Sequence, residues 1–159
     1  MVENGPSSGW LEGPVHVLPL RVYWEDTDGT GVVYYANYLK YVERARTDLL
    51  CLAGIEQKSL LNDHSVMFAV RRCEVDYLAP AHLDDELEIR TRLTDVRGAS
   101  LQAEQIVRRD GTDLVRANVK VACLDRSGKP KRLPRTVKDS LAALPQSNQR
   151  IFKPHSATN

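Results

Sequence analysis

The chain has 159 residues, 42% hydrophobic and 27% charged, which suits one globular domain and excludes a collagen-like repeat, a disordered chain and a disulfide scaffold. Twenty-two Lys and Arg against 21 Asp and Glu leave a formal charge of +1, too even for a protein that grips a phosphate backbone, so nucleic acid is not an expected partner. The longest apolar run, Leu49 to Ile55, is far short of the roughly 18 residues a membrane span needs, so no transmembrane segment is expected.

Residues 1–14 are rich in Gly, Ser, Pro and acid, without apolar periodicity or a basic start before an apolar stretch. They read as a flexible segment without a secretory signal, which implies a cytoplasmic protein. One domain is expected over residues 15–144, followed by a flexible tail over 145–159. From Val15 to Glu25 the residues His16, Leu18, Leu20, Val22 and Trp24 alternate onto one face of a strand. After a glycine-bearing segment, Tyr38, Val42, Ala45, Leu49 and Leu52 recur at helical spacing, and Gly54 stands where that helix should stop.

A short helical piece is expected around residues 56–62, and then the period returns to two. Met67, Ala69, Cys73, Val75 and Tyr77 share a face on which Arg71 is the polar exception, suggesting a subunit contact; Pro80 ends the run. Leu87, Ile89, Thr91 and Leu93 oppose Glu86, Glu88, Arg90 and Arg92. A turn at Arg97-Gly98, a strand over 101–109, a hairpin signal at Asp110-Gly111 and a last strand through Val115, Ala117, Val119, Val121 and Cys123 complete the pattern. Hairpin-linked strands with one long helix predict an α+β fold, an antiparallel sheet covered on one face. Cys51, Cys73 and Cys123 are widely spaced in apolar patterns and read as reduced core residues.

Three carboxylates and two glycines crowd into Glu25-Asp26-Thr27-Asp28-Gly29-Thr30-Gly31, between the first strand and the long helix. The helix start just beyond, near Tyr35 to Asn37, offers unpaired N–H groups and a positive dipole end. A carboxylate held beside it can act as base or nucleophile while the amides polarise a carbonyl. A thioester suits such sparse machinery, because a thiol of pKa about 8.5 leaves without a general acid. The four histidines His16, His64, His82 and His155 form no ligand pair, and no Gly-x-Ser-x-Gly elbow is present, so neither a metal, a cofactor nor a serine triad is expected. Asp26, Asp28, Thr30 and Gly31 fit the start of a calcium loop, but Asn37 stands where the bidentate Glu belongs and a strand precedes the loop. In the plainest alternative, these acids only shape a turn and cap the helix.

The stretches Tyr23-Trp24-Glu25-Asp26-Thr27-Asp28, Gly31-Val32-Val33-Tyr34-Tyr35-Ala36-Asn37-Tyr38-Leu39, Glu43-Arg44-Ala45-Arg46-Thr47, Val75-Asp76-Tyr77-Leu78-Ala79-Pro80-Ala81 and Leu83-Asp84-Asp85 resemble the hotdog-fold acyl-CoA thioesterases of the 4-hydroxybenzoyl-CoA thioesterase group, over about residues 16–142. The resemblance implies a sheet wrapped around one long helix, and subunits joined as a dimer or a dimer of dimers (a homotetramer) with active sites between them. It implies Asp28 as the catalytic carboxylate and the Tyr35 backbone N–H as the donor to the thioester carbonyl. Many relatives carry His at that position, so Tyr35 departs from the pattern while keeping the amide. Asp26 is expected to fix the loop, and Asn37 to cap the helix or orient Asp28. Glu43 matches the helix carboxylate of another hotdog branch but reads here as an ion-pair partner of Arg44 or Arg46. Arg97, Arg132 and Arg135 are expected to meet the phosphates of coenzyme A. The implied activity is hydrolysis of acyl-CoA in a bacterial cytoplasm, with one branch of the family encoded beside the Tol-Pal system. The alternative is a non-catalytic module that holds acyl-CoA or an acyl carrier protein, at the inner face of the membrane.

Overall fold

The computed structural model describes residues 8–144. Six strands form: β1 (Trp10–Glu12), β2 (Val15–Arg21), β3 (Met67–Tyr77), β4 (Glu86–Arg97), β5 (Ser100–Arg109) and β6 (Thr112–Leu124). Three helices join them: α1 (Asn37–Leu52), α2 (Gln57–His64) and α3 (Arg135–Ala142). The strands make one antiparallel sheet in the order β1-β2-β4-β5-β6-β3. The two hairpins predicted from Arg97-Gly98 and Asp110-Gly111 link β4 to β5 and β5 to β6; both Asp110 and Gly111 take positive φ, as a tight hairpin requires.

The alternation read from β4 and β6 puts Leu87, Ile89 and Thr91, and Val115, Ala117, Val119, Val121 and Cys123, on the buried side. Helix α1 lays Tyr38, Tyr41, Val42, Ala45 and Leu49 on that face, against Leu18 and Val22 of the β2 segment and Ile89 and Val107 of the central strands. Its end is set by Gly54, at φ +79°: Ile55 N–H donates to the Leu50 carbonyl (2.8 Å) and Gly54 N–H to the Cys51 carbonyl (3.0 Å). Leu50 and Ile55 then share the second core cluster, so backbone capping and apolar contact close the helix together.

Several expectations are corrected. The first strand stops at Arg21 instead of Glu25, because the chain turns into a 3₁₀ helix at Trp24–Asp26 and leaves Trp24 exposed. Leu52 is exposed, one step past the buried stripe. In β3 the register with β6 shifts between Val70 and Arg72, so Arg71 is the extra residue of a bulge. The bulge inverts the alternation: opposite the inward Cys123 and Val121 stand Phe68 and Val70, and Met67 and Ala69 point away. Cys51 and Cys73 are exposed, and only Cys123 is buried. Strand β1 and helix α3 add to the expected elements, and the tail over 145–159 lies outside the described residues. No helix among the described residues is long and apolar enough to cross a membrane.

Candidate active site

Between β2 and α1 the chain folds back on itself as a narrow loop. The Tyr23 N–H donates to Asp26 Oδ2 (2.8 Å), which bends the backbone into the 3₁₀ turn and buries Asp26. Thr27 then pairs with Val33, and the Asp28 N–H donates to the Val32 carbonyl (2.9 Å). The Asp26 carbonyl accepts from both Tyr34 N–H (2.9 Å) and Asn37 Nδ2 (2.8 Å), so the residue that shapes the loop also fixes where α1 begins. Asp26 therefore has the loop-fixing place expected of it. Asn37 neither caps the helix through its side chain nor bonds Asp28; it ties the helix start to the loop.

Asp28 stands exposed at the tip. Its Oδ1 accepts the Thr30 N–H and the Thr30 hydroxyl, each at 2.7 Å. The Thr30 hydroxyl, then the Thr30 amide, with a smaller part from the Val32 backbone, hold the carboxyl below the usual Asp range, so it is an anion at neutral pH. Thr30 was missed as a site residue, although an Asp followed two places on by Thr is a recognisable turn signal.

Tyr35 lies two residues before α1. Its N–H has no acceptor among the described residues, at the end of the helix where the dipole is positive. The Tyr77 hydroxyl donates to the Tyr35 carbonyl (3.1 Å), and the Tyr35 ring packs edge-on to Tyr34 and Tyr77. A depression of about 290 Å³ opens here, walled by Val33, Tyr35, Tyr38, Tyr77, Leu78, Ala79 and Pro80. Asp28 is not among its walls within one subunit.

Residues 78–85 run alongside the loop as an outer layer. Val33 N–H donates to the Ala81 carbonyl (2.9 Å), Leu83 N–H to the Gly31 carbonyl (3.2 Å), and Val32 pairs with His82. The buried Tyr38 hydroxyl accepts the Ala81 N–H (2.9 Å), which anchors this layer to α1. Asp85 accepts the His82 N–H (2.8 Å) and an Arg109 guanidinium N–H (2.6 Å). Partial burial works against its charge, but the His82 amide and Arg109 outweigh it and hold the carboxyl below its ordinary value.

Farther along α1, Glu43 pairs with Arg46, as the ion-pair reading had it, and Arg46 donates to Gln105 Oε1 (2.8 Å). Buried Gln105 donates in turn to the Val42 carbonyl and the Thr91 hydroxyl, both at 2.9 Å. Its signal in the sequence was a polar residue in phase with the inward Ala103 and Val107. A cavity of about 120 Å³ between this part of α1 and the sheet is lined by Leu49, Leu50, Phe68, Val70, Leu101 and Val121, with Glu43 and Arg46 beside them. It touches neither Asp28 nor Tyr35.

The three arginines lie elsewhere. Arg21, which leads into the Asp28 loop, pairs with Glu86 at one end of β4, and Arg97 closes the other end, roughly 36 Å away at 3.3 Å per residue. Leu133 N–H donates to the Gly98 carbonyl (2.7 Å) and brings the Arg132 side chain against that same turn. Arg97 donates to Asp95 (2.6 Å), and Arg135 opens α3. Arg97 and Arg132 are thus together, at the far end of the sheet from their own subunit's Asp28 loop.

A family model described as the thioesterase-like superfamily matches residues 22–143. The chain is 44% identical over 122 residues to the acyl-CoA thioesterase YbgC of Haemophilus influenzae, covering 76% of this chain and 90% of that protein. It is 46% identical over 121 residues to the acyl-CoA thioester hydrolase YbgC of Escherichia coli O6:H1, covering 75% and 90%. Among solved structures, a probable thioesterase from Bartonella henselae superposes with a TM-score of 0.73 at 37% identity, over 76% of this chain and 99% of that one. A 1,4-dihydroxy-2-naphthoyl-CoA thioesterase from Synechocystis gives 0.76 at 21% identity, over 84% and 99%, a likeness of fold alone. The hotdog architecture implied by the sequence is the one these structures share.

Proposed function

This chain belongs to the thioesterase-like superfamily and is a hydrolase acting on thioester bonds, and from that premise we propose that it cleaves acyl-CoA with Asp28 as the reacting carboxylate and the Tyr35 N–H as the carbonyl donor. The observation that carries the reading is the pairing of an ionised carboxylate with an unsatisfied amide on one short loop. In one route the Asp28 carboxylate takes a proton from a water whose oxygen attacks the thioester carbon; in the other it attacks that carbon itself, and water then hydrolyses the mixed anhydride to free acid and carboxylate. In both routes negative charge builds on the carbonyl oxygen, where the amide and the helix dipole stabilise it, and the thiolate of coenzyme A leaves unaided. A backbone donor works whatever side chain stands there, so Tyr35 in place of His leaves this step intact.

The active form in this reading is a dimer formed through β3. That strand pairs only with β6, leaving the other edge of Met67–Tyr77 open along eleven residues with Val70 and Tyr77 exposed. A long open edge is a template for another strand. Antiparallel pairing with a second copy inverts one sheet relative to the other, which carries the Arg97 and Arg132 end of one subunit toward the Asp28 end of its neighbour. That arrangement supports the assignment of Arg97, Arg132 and Arg135 to the phosphates of coenzyme A across the interface. A cytoplasmic site of action belongs to the same proposal.

The test is thiol release by the purified chain over a panel of short, long and aromatic acyl-CoAs. Turnover of any class supports the reading. A ligand-induced thermal shift without thiol release would replace it with a binding module.

A further inference from the structure

We propose that Arg109 and Asp85 are a positioning pair that holds the Asp28 loop in its reactive shape, an inference that rests on Asp28 being the reacting carboxylate. The bonds that hold Asp28, from Thr30 and Gly31 and with Val32, all lie within the same turn. A turn this short needs an outer support, and the one against it is the segment 78–85, through Val33 to Ala81, Leu83 to Gly31 and Val32 with His82. That segment carries Pro80 and the left-handed Asp84 (φ 66°), so it lacks the ladder of a regular strand.

Its first half is held by Leu78 and Ala79 N–H on the Leu114 carbonyl and by Ala81 N–H on the Tyr38 hydroxyl, and what fastens its second half is Asp85. The carboxylate gathers the His82 N–H and Arg109, and Arg109 also reaches the Pro80 carbonyl at 3.4 Å. The backbone of Asp84 and Asp85 is bonded to Val22, by Asp84 N–H to the Val22 carbonyl (3.1 Å) and Val22 N–H to the Asp85 carbonyl (2.9 Å). One charged contact between the end of β5 and this segment thus closes a ring that runs from Val22 through Asp85, His82 and Val32 back to Asp28. Arg109 and Asp85 are both partly buried, so solvent only partly screens their contact. Neither residue touches the reacting atoms. They act through the place of the loop.

The experiment compares Arg109→Gln, Arg109→Lys and Asp85→Asn with the intact chain in three measurements: thiol release from an acyl-CoA that the intact chain hydrolyses, amide hydrogen exchange, and thermal melting. Misplacement of a reacting group by about 1 Å can cost about 10²-fold, so Arg109→Gln and Asp85→Asn are expected to lose about that much kcat with KM nearly unchanged. Exchange over residues 27–35 rises about tenfold while that of residues 42–50 in α1 stays as it was. Arg109→Lys restores most of the rate, because it keeps the cation. Wild-type kcat and unchanged exchange in Arg109→Gln overturn the proposal. So does loss of a cooperative melt in both Arg109→Gln and Asp85→Asn, which would make the pair a support of the whole fold. If Asp28→Asn remains active, the catalytic reading fails by itself, and the exchange of residues 27–35 still decides the clamp.

Discussion

Thr30 gives both its amide and its hydroxyl to the same oxygen of Asp28, at 2.7 Å each. The two donors favour the charged carboxylate and lower its pKa, so a rate that needs the anion is sustained above that pKa and lost as pH falls through it. Thr30→Val removes the hydroxyl donor and keeps the amide. The acid limb of kcat/KM for acyl-CoA should therefore move to higher pH, with the neutral plateau lowered less; an unmoved limb would separate Thr30 from the charge of Asp28.

His16 is buried, with Nε2 against the Ser8 carbonyl at 2.5 Å, and burial lowers its pKa below the ordinary 6.5. The unfolded chain therefore binds this proton more readily than the folded one. Stability is full above about pH 6.5 and falls as pH drops from there toward the folded-state pKa. Melting temperatures measured between neutral and mildly acid pH should decline, and His16→Gln should flatten that part of the profile even if it lowers the starting value.

Gln105 is the polar hub between β5 and α1. Gln105→Ala strips partners from Arg46, Thr91 and the Val42 carbonyl and opens space in the core, at a cost of about 2–4 kcal/mol. Denaturant midpoints will read it. A change under about 0.5 kcal/mol would mean that water replaces the side chain without loss.

Two glycines with nearly the same φ separate strain from contact. Gly54→Ala meets open space, so only the left-handed backbone resists it, at about 1 kcal/mol. A Cβ on Gly9 would lie 2.1 Å from the Val17 carbonyl oxygen, so Gly9→Ala cannot be accepted without moving β1 off β2. Limited proteolysis should cut near β1 in Gly9→Ala and spare it in Gly54→Ala.

The proposed dimer has its own test. Val70→Lys puts a charge on the open edge strand. Sedimentation should show a monomer with an intact melt and thiol release reduced at least about tenfold, since each site then lacks its neighbour. An active monomer would place every needed group within one chain.

The elements that were legible in the sequence are those whose two faces meet different surroundings. Strands β4 and β6 alternate because one side meets the core, and α1 shows its stripe and its Gly54 stop for the same reason. Strand β3 misled by parity: its apolar residues keep an even spacing through Arg71, but the bulge there puts Phe68 and Val70 on the α1 side of the sheet, with Val70 still half exposed at the open edge. Trp24 misled by continuing the alternation of β2 past the point where Asp26 captures the Tyr23 N–H. Around the candidate site, glycines and carboxylates marked the loop, and the resemblance singled out Asp28 and Tyr35. The outer layer made by Asp85 and Arg109 was not readable, because 24 positions separate the partners and nothing local in either sequence neighbourhood requires the other.

The central claim is tested most directly by Asp28→Asn, a change that keeps the shape and removes the charge of a residue exposed to solvent. The assay is thiol release from acyl-CoA, read beside sedimentation and melting of the same preparation. The account predicts an unchanged assembly and melt with a rate lower by about 10²- to 10⁴-fold. A folded, assembled Asp28→Asn protein that releases thiol as fast as the original would contradict it.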